Sequence, residues 1–353
     1  MKKAKYKLIS KNFDIGIAFL RVILCFLVII HHCYRYESAT PTWAIIIKKF
    51  DTFLFQVITF FIISFYYLYN TLFSFDCKRI YKRYQRLLIP YIIWPIIFFH
   101  LNKWLKRRNS NLRLNYSLLL LKQQLLYGSY LIQSYWYLWD TFVITSLFII
   151  IVFIFRNHYL FVYLILGITS FILQYNGMNN RLFSQYRMGL KRYSFGRILE
   201  MIPCAVAGVS IKDTGFINLL RNHQIKTIII CIYLIYFSVN SGAFNSAEGL
   251  GYSGLKLYLI SICLFLGFAM FPYNISKNKT TNKKIINIIK HITGYTAGIY
   301  YLHESIFSIL VNYFNENKIR TILGNIQIYL FCYLICFIGN KLFKNTILVN
   351  LFN

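Results

Sequence analysis

The feature that most constrains this chain is a series of uncharged, mainly apolar runs, for example at 22–30, 142–155 and 228–237. A helix that crosses a bilayer needs about 20 predominantly apolar residues. Only 14% of the 353 residues are charged, whereas a soluble domain carries about 25%. Spanning backbone must satisfy its own hydrogen bonds, so these runs predict helices. The chain is therefore predicted to be an all-α, polytopic membrane bundle that no soluble fold could accommodate.

The apolar pattern predicts about ten spans in a single transmembrane domain over 1–353, with no soluble domain. The third predicted span contains Pro90 and Pro95, and the sixth contains Pro203. Proline allows either of these spans to be kinked or partly re-entrant. An amphipathic segment, Leu118–Leu126, is predicted to lie along the membrane interface. The predicted helices lie near 13–33, 50–73, 87–102, 135–155, 159–175, 196–211, 225–240, 255–273, 292–313 and 322–343.

Basic residues predict the orientation of the bundle. Short loops rich in Lys and Arg stay in the cytoplasm, and three such segments (2–11, 78–86 and 277–290) fall on one side of a ten-helix chain. Both termini are therefore predicted to be cytoplasmic, with the bacterial inner membrane as the location. Two further basic segments, 103–122 and 181–197, fall outside. Either the helix count is off by one or these segments bind an anion.

The net charge of +29 raises the alternative of nucleic-acid binding. A nucleic-acid protein places its basic residues on a solvated face of a soluble domain. Here they crowd the ends of apolar runs, where they meet lipid headgroups. Membrane lipid is therefore the expected partner, and nucleic acid is not. The eight cysteines have no metal-binding spacing and no metal is predicted.

The first helix carries the clearest candidate for chemistry. Arg21 lies within its apolar run, where a bare charge costs on the order of 3 kcal/mol and calls for a partner or a polar cavity. Eleven residues of helix return to within about 20° of the starting direction, so Arg21 and His32 share a face. His31 points away. The two are separated by about 16 Å along the axis, so this face predicts a cavity with a deep Arg and a His near its mouth.

This pattern resembles the acyltransferase-3 family, whose first helix carries an Arg, ten intervening residues and a His. Those proteins transfer acyl groups to hydroxyls of sugars and related acceptors. The resemblance covers nearly the whole chain, although Phe65 stands where the family usually has Gly and Glu304 where it usually has Pro. These two departures are consistent either with an altered substrate or with a divergent family member that has reduced activity. The further matching segments are Phe60–Tyr69, Lys82–Tyr91, Tyr135–Trp139 and Gly294–His303.

The resemblance implies an enzyme with His32 as the base that accepts the hydroxyl proton, a task that suits His at neutral pH. Arg21 is expected to hold the donor or to stabilise the developing oxyanion. Arg83 and Arg86 are expected to bind the phosphates of acetyl-CoA or another acyl-CoA, a donor substrate and not a tightly bound cofactor. Ordinary positive-inside anchoring is the alternative for both arginines. His303 either lines the same cavity or makes an interhelical hydrogen bond.

Acidic residues are rare, and three of them raise functional questions. Asp14 either orders the cavity entrance or caps the first helix, and capping is favoured. Asp140 is predicted to act as a helix-start carboxylate. Glu200, near the start of a Pro-containing helix, is a candidate for the substrate cavity.

The expected function is O-acylation, with an acetyl group moved from coenzyme A to a carbohydrate or glycolipid hydroxyl near the outer surface. The alternatives are a transporter or flippase that uses the same cavity for a lipid-linked sugar or an acyl molecule, and an inactive scaffold. A transporter is expected to show internal repeats or paired broken helices, and the sequence has no convincing repeat. The acceptor, the acyl length and the oligomeric state are not encoded in any recognisable motif.

Overall fold

The computed structural model describes residues 14–33, 55–108, 117–127, 135–179, 193–240, 255–270, 282–313 and 319–352, and these contain helices and no strands. Short 3₁₀ helices follow at Arg156–His158 and Ile347–Leu351. The α-helices are α1 (Ile15–Cys33), α2 (Phe55–Ser74), α3 (Cys77–Arg108), α4 (Leu118–Tyr127), α5 (Trp136–Phe155), α6 (Tyr159–Asn179), α7 (Tyr193–Asp213), α8 (Phe216–Arg221), α9 (Gln224–Asn240), α10 (Leu255–Met270), α11 (Asn282–Thr293), α12 (Thr296–Tyr313) and α13 (Ile322–Phe343).

Each predicted apolar segment overlaps at least one helix, and the all-α prediction is confirmed for the described residues. Among the described residues, five stretches are long and apolar enough to cross a membrane. They are Ile15–Cys33, Phe55–Ser74, Cys77–Arg107, Trp136–Leu173 and Ile322–Phe343. Gln224–Val239 and Leu255–Met270 are shorter apolar helices. Large apolar side chains on α5, α6, α9 and α13 point outward, as expected for helices that face lipid.

The third predicted helix is much longer than its apolar run suggested. The backbone N–H of Arg79 donates to the side chain of Asp76 (3.1 Å), which caps the helix and starts it at Cys77. The basic segment predicted as a loop is therefore the first part of α3. The helix continues through Pro90 and Pro95 over 32 residues, about 48 Å. Similarly, α7 passes through Pro203 without a break.

The ninth predicted helix is, in contrast, interrupted. The amphipathic α11 ends at Thr293, and α12 begins at Thr296 after a turn at Gly294 and Tyr295. The N–H of Gly294 donates to the carbonyls of Lys290 and His291, which closes the last turn of α11. The prediction of one helix over 292–313 was wrong because this local break is not visible in the apolar pattern.

The predicted amphipathic segment forms α4, which packs against the middle of α3. The hydroxyl of Tyr91 donates to the carbonyls of Gln124 (2.7 Å) and Leu125 (2.9 Å). The leucines Leu118 and Leu119 remain exposed. The segment therefore keeps an outer apolar surface while its other side is held by α3.

Two apolar clusters form the core. The first cluster joins α2, α5, α6, α7 and α10 to the first half of α1. The second cluster joins α3, α12, α13 and the C-terminal 3₁₀ helix to the second half of α1. Phe60 and Tyr137 pack against both clusters and so mark the seam between them. The candidate site lies along this seam.

Candidate active site

Helices α1 and α12 run parallel, and this register builds the site. The hydroxyl of Thr293, which precedes α12, donates to the carbonyl of Ala18 near the start of α1 (3.3 Å), and the thiol of Cys25, midway along α1, donates to the carbonyl of Thr296 at the start of α12 (3.4 Å). Near their far ends, His32 meets Glu304. Since both helices advance by about 1.5 Å per residue, their polar side chains stay level with each other along the seam.

His32 lies beside a carboxylate. Its Nδ1 atom is 3.1 Å from Oε1 of Glu304, and the two side chains are 26% and 16% exposed. A carboxylate accepts hydrogen bonds only, so Nδ1 carries the proton and Nε2 is the ring nitrogen that can accept one. Glu304 thus fixes the orientation of the ring, which is the arrangement that a general base requires. In the sequence, Glu304 stood out only as a departure from the family pattern. In the structure it is the partner of His32.

His303 lies next to His32, with a distance of 5.2 Å between the ring centroids. It is fully buried, and its Nδ1 atom is 2.6 Å from the carbonyl oxygen of Tyr300. A carbonyl accepts only, so Nδ1 is the donor and Nε2 presents a lone pair. Nε2 is buried without a hydrogen-bond partner among the described residues. A buried acceptor of this kind is rare and fits a position where a substrate hydroxyl binds.

His31 differs from its neighbour. Its side chain is exposed, and its ring meets that of His32 edge-on at 5.1 Å between centroids. The contact with Glu304 belongs to His32. This difference agrees with the helical-face argument, which separated the two histidines.

Arg21 lies at the other end of the shared register. Its guanidinium donates to the hydroxyl of Thr296 (3.0 Å), which itself donates to the carbonyl of Thr293 (2.9 Å). Tyr137 and Tyr301 lie in the neighbourhood of the same guanidinium. Thr296 is the first residue of α12 and Glu304 lies eight residues later, so both helices separate Arg21 from His32 by about 12–16 Å.

Arg83 reaches the same region from α3. It donates to the side chains of Ser64 (2.9 Å) and Thr145 (3.3 Å), and its guanidinium lies over the ring of Phe65 at 5.6 Å. An arginine that serves only as a positive-inside anchor in a cytoplasmic loop does not need hydrogen bonds to two other helices, as Arg83 makes with α2 and α5. Phe65, the second departure from the family pattern, therefore forms an apolar floor for this guanidinium.

Three arginines lie in the neighbourhood of one tyrosine. The charges of Arg21, Arg83 and Arg86 are near enough to act on the hydroxyl of Tyr301, and Arg86 is itself exposed. We call these three residues the arginine cluster. Guanidinium groups are well suited to phosphate, and exposed and half-buried members side by side can accept an anion that enters from solution. Sequence reasoning named the arginines but missed Thr296, Tyr137 and Tyr301, because their pairing depends on the packing of distant helices.

Rings connect the two ends. Tyr137 lies in the neighbourhood of both Arg21 and Arg83, and its ring lies 5.4 Å from that of Tyr300. The ring of Tyr300 lies 5.7 Å from that of His303. Phe60 contacts Tyr300 at 6.1 Å and Tyr137 at 6.4 Å. We call Phe60, Tyr137 and Tyr300 the aromatic bridge.

The remaining predicted residues lie elsewhere. Asp14 accepts a hydrogen bond from the N–H of Ile17 (3.2 Å) and so caps α1, as favoured from the sequence. Burial raises the pKa of its carboxyl, opposed by the charges of Arg221 and Lys212. Glu200 is half-buried on α7 in the first cluster, where its carbonyl accepts from the hydroxyl of Tyr258 (2.9 Å).

The prediction for Asp140 was wrong. It lies one turn inside α5, fully buried, and forms a two-pronged ion pair with Arg197 of α7 at 2.8 and 3.0 Å. The guanidinium of Arg197 also lies over the ring of Trp136 at 5.0 Å. Asp140 is therefore a link between two helices, since a buried carboxylate needs a charged partner.

The described ranges contain no group of three or more His, Cys, Asp or Glu side chains arranged as metal ligands.

A comparison with known proteins identifies the family. The chain matches the acyltransferase-3 family, described as an acyltransferase domain, over residues 14–341. No curated protein and no solved structure shows significant similarity to it. The match includes α1, with Arg21 and His32, and extends through α12, with His303 and Glu304. The chain therefore belongs to the acyltransferase-3 family and is an integral membrane acyltransferase.

Proposed function

We propose that the protein moves an acetyl group from acetyl-CoA to a sugar hydroxyl of a surface glycan or glycolipid. The observation that carries this proposal is the pairing of His32 with Glu304 beside the buried Nε2 of His303. Two imidazoles and one carboxylate supply what an alcohol needs in order to attack a thioester. The arginine cluster lies at the opposite end of the same seam, where an anionic donor can bind.

The reaction begins with the acceptor hydroxyl between the two histidines. Nε2 of His32 takes its proton while the hydroxyl oxygen forms a bond to the thioester carbonyl carbon. Glu304 accepts from Nδ1 and stabilises the imidazolium that results. The carbon–sulfur bond then breaks, the thiolate of coenzyme A leaves, and it takes the proton from His32. Atoms and charges balance without a metal or a second co-reactant.

The separation of the two ends supports one of the two roles considered for Arg21. A residue about 12–16 Å from His32 along the helices cannot touch an oxyanion that forms beside His32. Arg21 donates to Thr296 and lies near Tyr301. Arg83 and Arg86 lie near the same tyrosine, and this grouping favours a role for Arg21 in donor binding. The pantetheine arm of coenzyme A separates the phosphates from the thioester and suits such a distance. Arg21, Arg83 and Arg86 are therefore assigned to the phosphate end of the donor.

The proposed orientation places the arginine cluster toward the cytoplasm and His32 toward the outer surface, with both chain termini cytoplasmic. The bacterial inner membrane fits this arrangement, because acyl-CoA is cytoplasmic and surface glycans are modified outside. Each of the two chemical ends then faces the compartment that supplies its substrate.

A transfer assay tests the proposed reaction. Membranes from the protein's own source cells hold the natural acceptor, and they are incubated with acetyl-CoA labelled in the acetyl group. Label should pass to the glycan fraction in wild-type membranes and remain in acetyl-CoA in membranes that lack the protein. Absence of transfer, together with unmodified glycan retained inside the cells, would favour the transporter instead.

A further inference from the structure

We infer that the aromatic bridge sets the length of the acyl chain that the enzyme accepts, an inference that rests on the proposed function. Phe60, Tyr137 and Tyr300 occupy the path between the arginine cluster and the two histidines. A thioester bound at His32 with its phosphates at the arginine cluster must pass these rings.

The contacts are continuous from one end to the other. Tyr137 lies in the neighbourhood of Arg83 and Arg21, Tyr300 lies 5.4 Å from Tyr137, and His303 lies 5.7 Å from Tyr300. These rings form a continuous line from the neighbourhood of the arginines to His303. Rings resist compression and have few rotamers, so they form a firmer boundary than aliphatic side chains.

The side chains along the proposed path are partly exposed. Phe60 and Tyr137 pack against both core clusters and yet are only half-buried. Arg21 and Arg83 at one end, and His32 at the other, are also half-buried. The proposed donor path follows these side chains, and Phe60 borders it without a polar group.

The chemistry of the substrate then assigns a task to Phe60. Once the thioester carbonyl is at His32, the pantetheine arm lies toward the arginine cluster and the acceptor enters past His31 and His32. The alkyl part of the acyl group is left to point sideways, against the bridge. A ring there leaves room for a short chain and collides with a longer one. Each methylene that a pocket admits or rejects changes the rate by about 10- to 200-fold.

The test compares Phe60→Ala with wild type over a series of labelled acyl-CoA donors: acetyl, propionyl, butyryl and hexanoyl. Membranes come from source cells that lack the chromosomal gene and express each variant. Phe60→Ala should accept a chain at least two carbons longer than wild type does. It should also raise the ratio of butyryl to acetyl transfer by about tenfold or more. Tyr300→Leu, which keeps the backbone carbonyl that His303 uses, should move the ratio in the same direction.

Phe171→Ala is the matched control. Phe171 is a half-buried ring of the first cluster on α6, 6.0 Å from Tyr258, and lies outside the bridge. Its loss should lower transfer of all donors equally or not at all. A purely structural effect of Phe60→Ala would do the same, so the ratio separates specificity from stability.

The outcomes distinguish this inference from the function on which it rests. If both bridge variants transfer acetyl and keep the wild-type chain-length limit, the bridge does not set specificity, although the enzyme assignment stands. If wild-type membranes transfer none of the four acyl groups, the proposed function is wrong and the inference is overturned with it.

Discussion

At the scale of single residues, the histidine–carboxylate pair is the centre of the proposed chemistry. His32 can act as a base without help, but an unoriented ring spends much of its time in unproductive tautomers and rotamers. Glu304 removes that freedom through a 3.1 Å contact with Nδ1. The carboxylate also opposes the positive charge that appears on the ring as it takes up a proton. The rate of transfer should therefore fall when the negative charge of Glu304 is removed, even if the shape of its side chain is kept.

Replacing Glu304 with Gln tests this charge. The amide oxygen can still accept from Nδ1, so substrate binding should change little while the turnover rate falls by about tenfold or more. Glu304→Ala should lose more, toward the 10²–10⁴-fold that a general base contributes. The measurement is kcat and KM for acetyl transfer. Glu200→Gln is a matched carboxylate control in the first cluster. Equal losses at Glu200 and Glu304 would contradict the pairing.

Arg21→Lys tests the donor site. Lysine keeps the positive charge but lacks the planar fork that holds a phosphate by two hydrogen bonds. A misplaced donor loses the proximity on which transfer depends, so we expect near-complete loss of acetyl transfer at a normal protein level in the membrane. Immunoblotting provides the level and the labelled transfer assay the activity. Retention of most activity would reduce Arg21 to a simple attractor of anions.

Helical periodicity was enough to predict that Arg21 and His32 share a face, because both lie on one helix. Glu304 could not be predicted in the same way. Its partner, His32, lies near the opposite end of the sequence. The sequence marks Glu304 only as a single departure from the family pattern. The aromatic bridge likewise joins α2, α5 and α12, whose relative register depends on tertiary packing. Local pattern identifies candidates, and packing decides which of them meet.

At the scale of helices, α5 and α7 are joined by the buried pair of Asp140 and Arg197. Removing one member leaves an uncompensated charge, which costs about 3–5 kcal/mol, whereas replacing both by apolar residues is often neutral. Asp140→Leu alone should therefore lower the thermal midpoint of the purified protein, and Asp140→Leu with Arg197→Met should recover most of the loss. The readout is thermal unfolding in detergent. An additive double variant would show that the two charges do not support each other.

Helices α2 and α7 pack backbone against backbone at Gly208. A Cβ atom there would collide with the carbonyl of Ile62 and crowd the N–H of Tyr66 (2.9 Å). Neither backbone group can move out of the way without shifting a helix. Gly208→Ala should therefore destabilise the protein by about 1–3 kcal/mol, the usual cost of overpacking.

Gly267→Ala provides the comparison for that variant. A Cβ at Gly267 would meet only the Cβ of Cys231 at 3.8 Å, an ordinary contact, and alanine favours a helix over glycine. When the two variants are measured side by side with wild type, the thermal midpoint should fall in Gly208→Ala and rise in Gly267→Ala. Similar midpoints would mean that α2 and α7 are not as close as the structure has them.

The boundaries of these helices were the least predictable part of the fold. The apolar run gave the middle of α3 but not its start, which depends on the cap at Asp76. The break between α11 and α12 depends on the turn at Gly294. Both are decided by one or two local hydrogen bonds, which the average hydrophobicity of a segment does not register. Element type was predictable because the bilayer restricts it so strongly.

At the scale of the whole molecule, orientation determines which substrate reaches which end of the seam. Cys77, at the start of α3, is exposed, while the other seven of the eight cysteines, all within the described residues, are buried. A membrane-impermeant maleimide should therefore label the wild-type protein in inverted vesicles and leave it unlabelled in intact cells. Cys77→Ser should abolish the signal. Labelling from the outside would reverse the proposed orientation and, with it, the side from which the donor enters.

The central claim is that the protein acylates a surface glycan through His32. Mass spectrometry of glycans from cells expressing wild type, His32→Ala or His31→Ala, and from cells without the gene, tests it most directly. The acyl mass should be present with wild type and His31→Ala and absent with His32→Ala and in the deletion strain, at equal amounts of surface glycan. Acylation that persists with His32→Ala, or loss of the glycan itself from the surface of the deletion strain, would contradict the account.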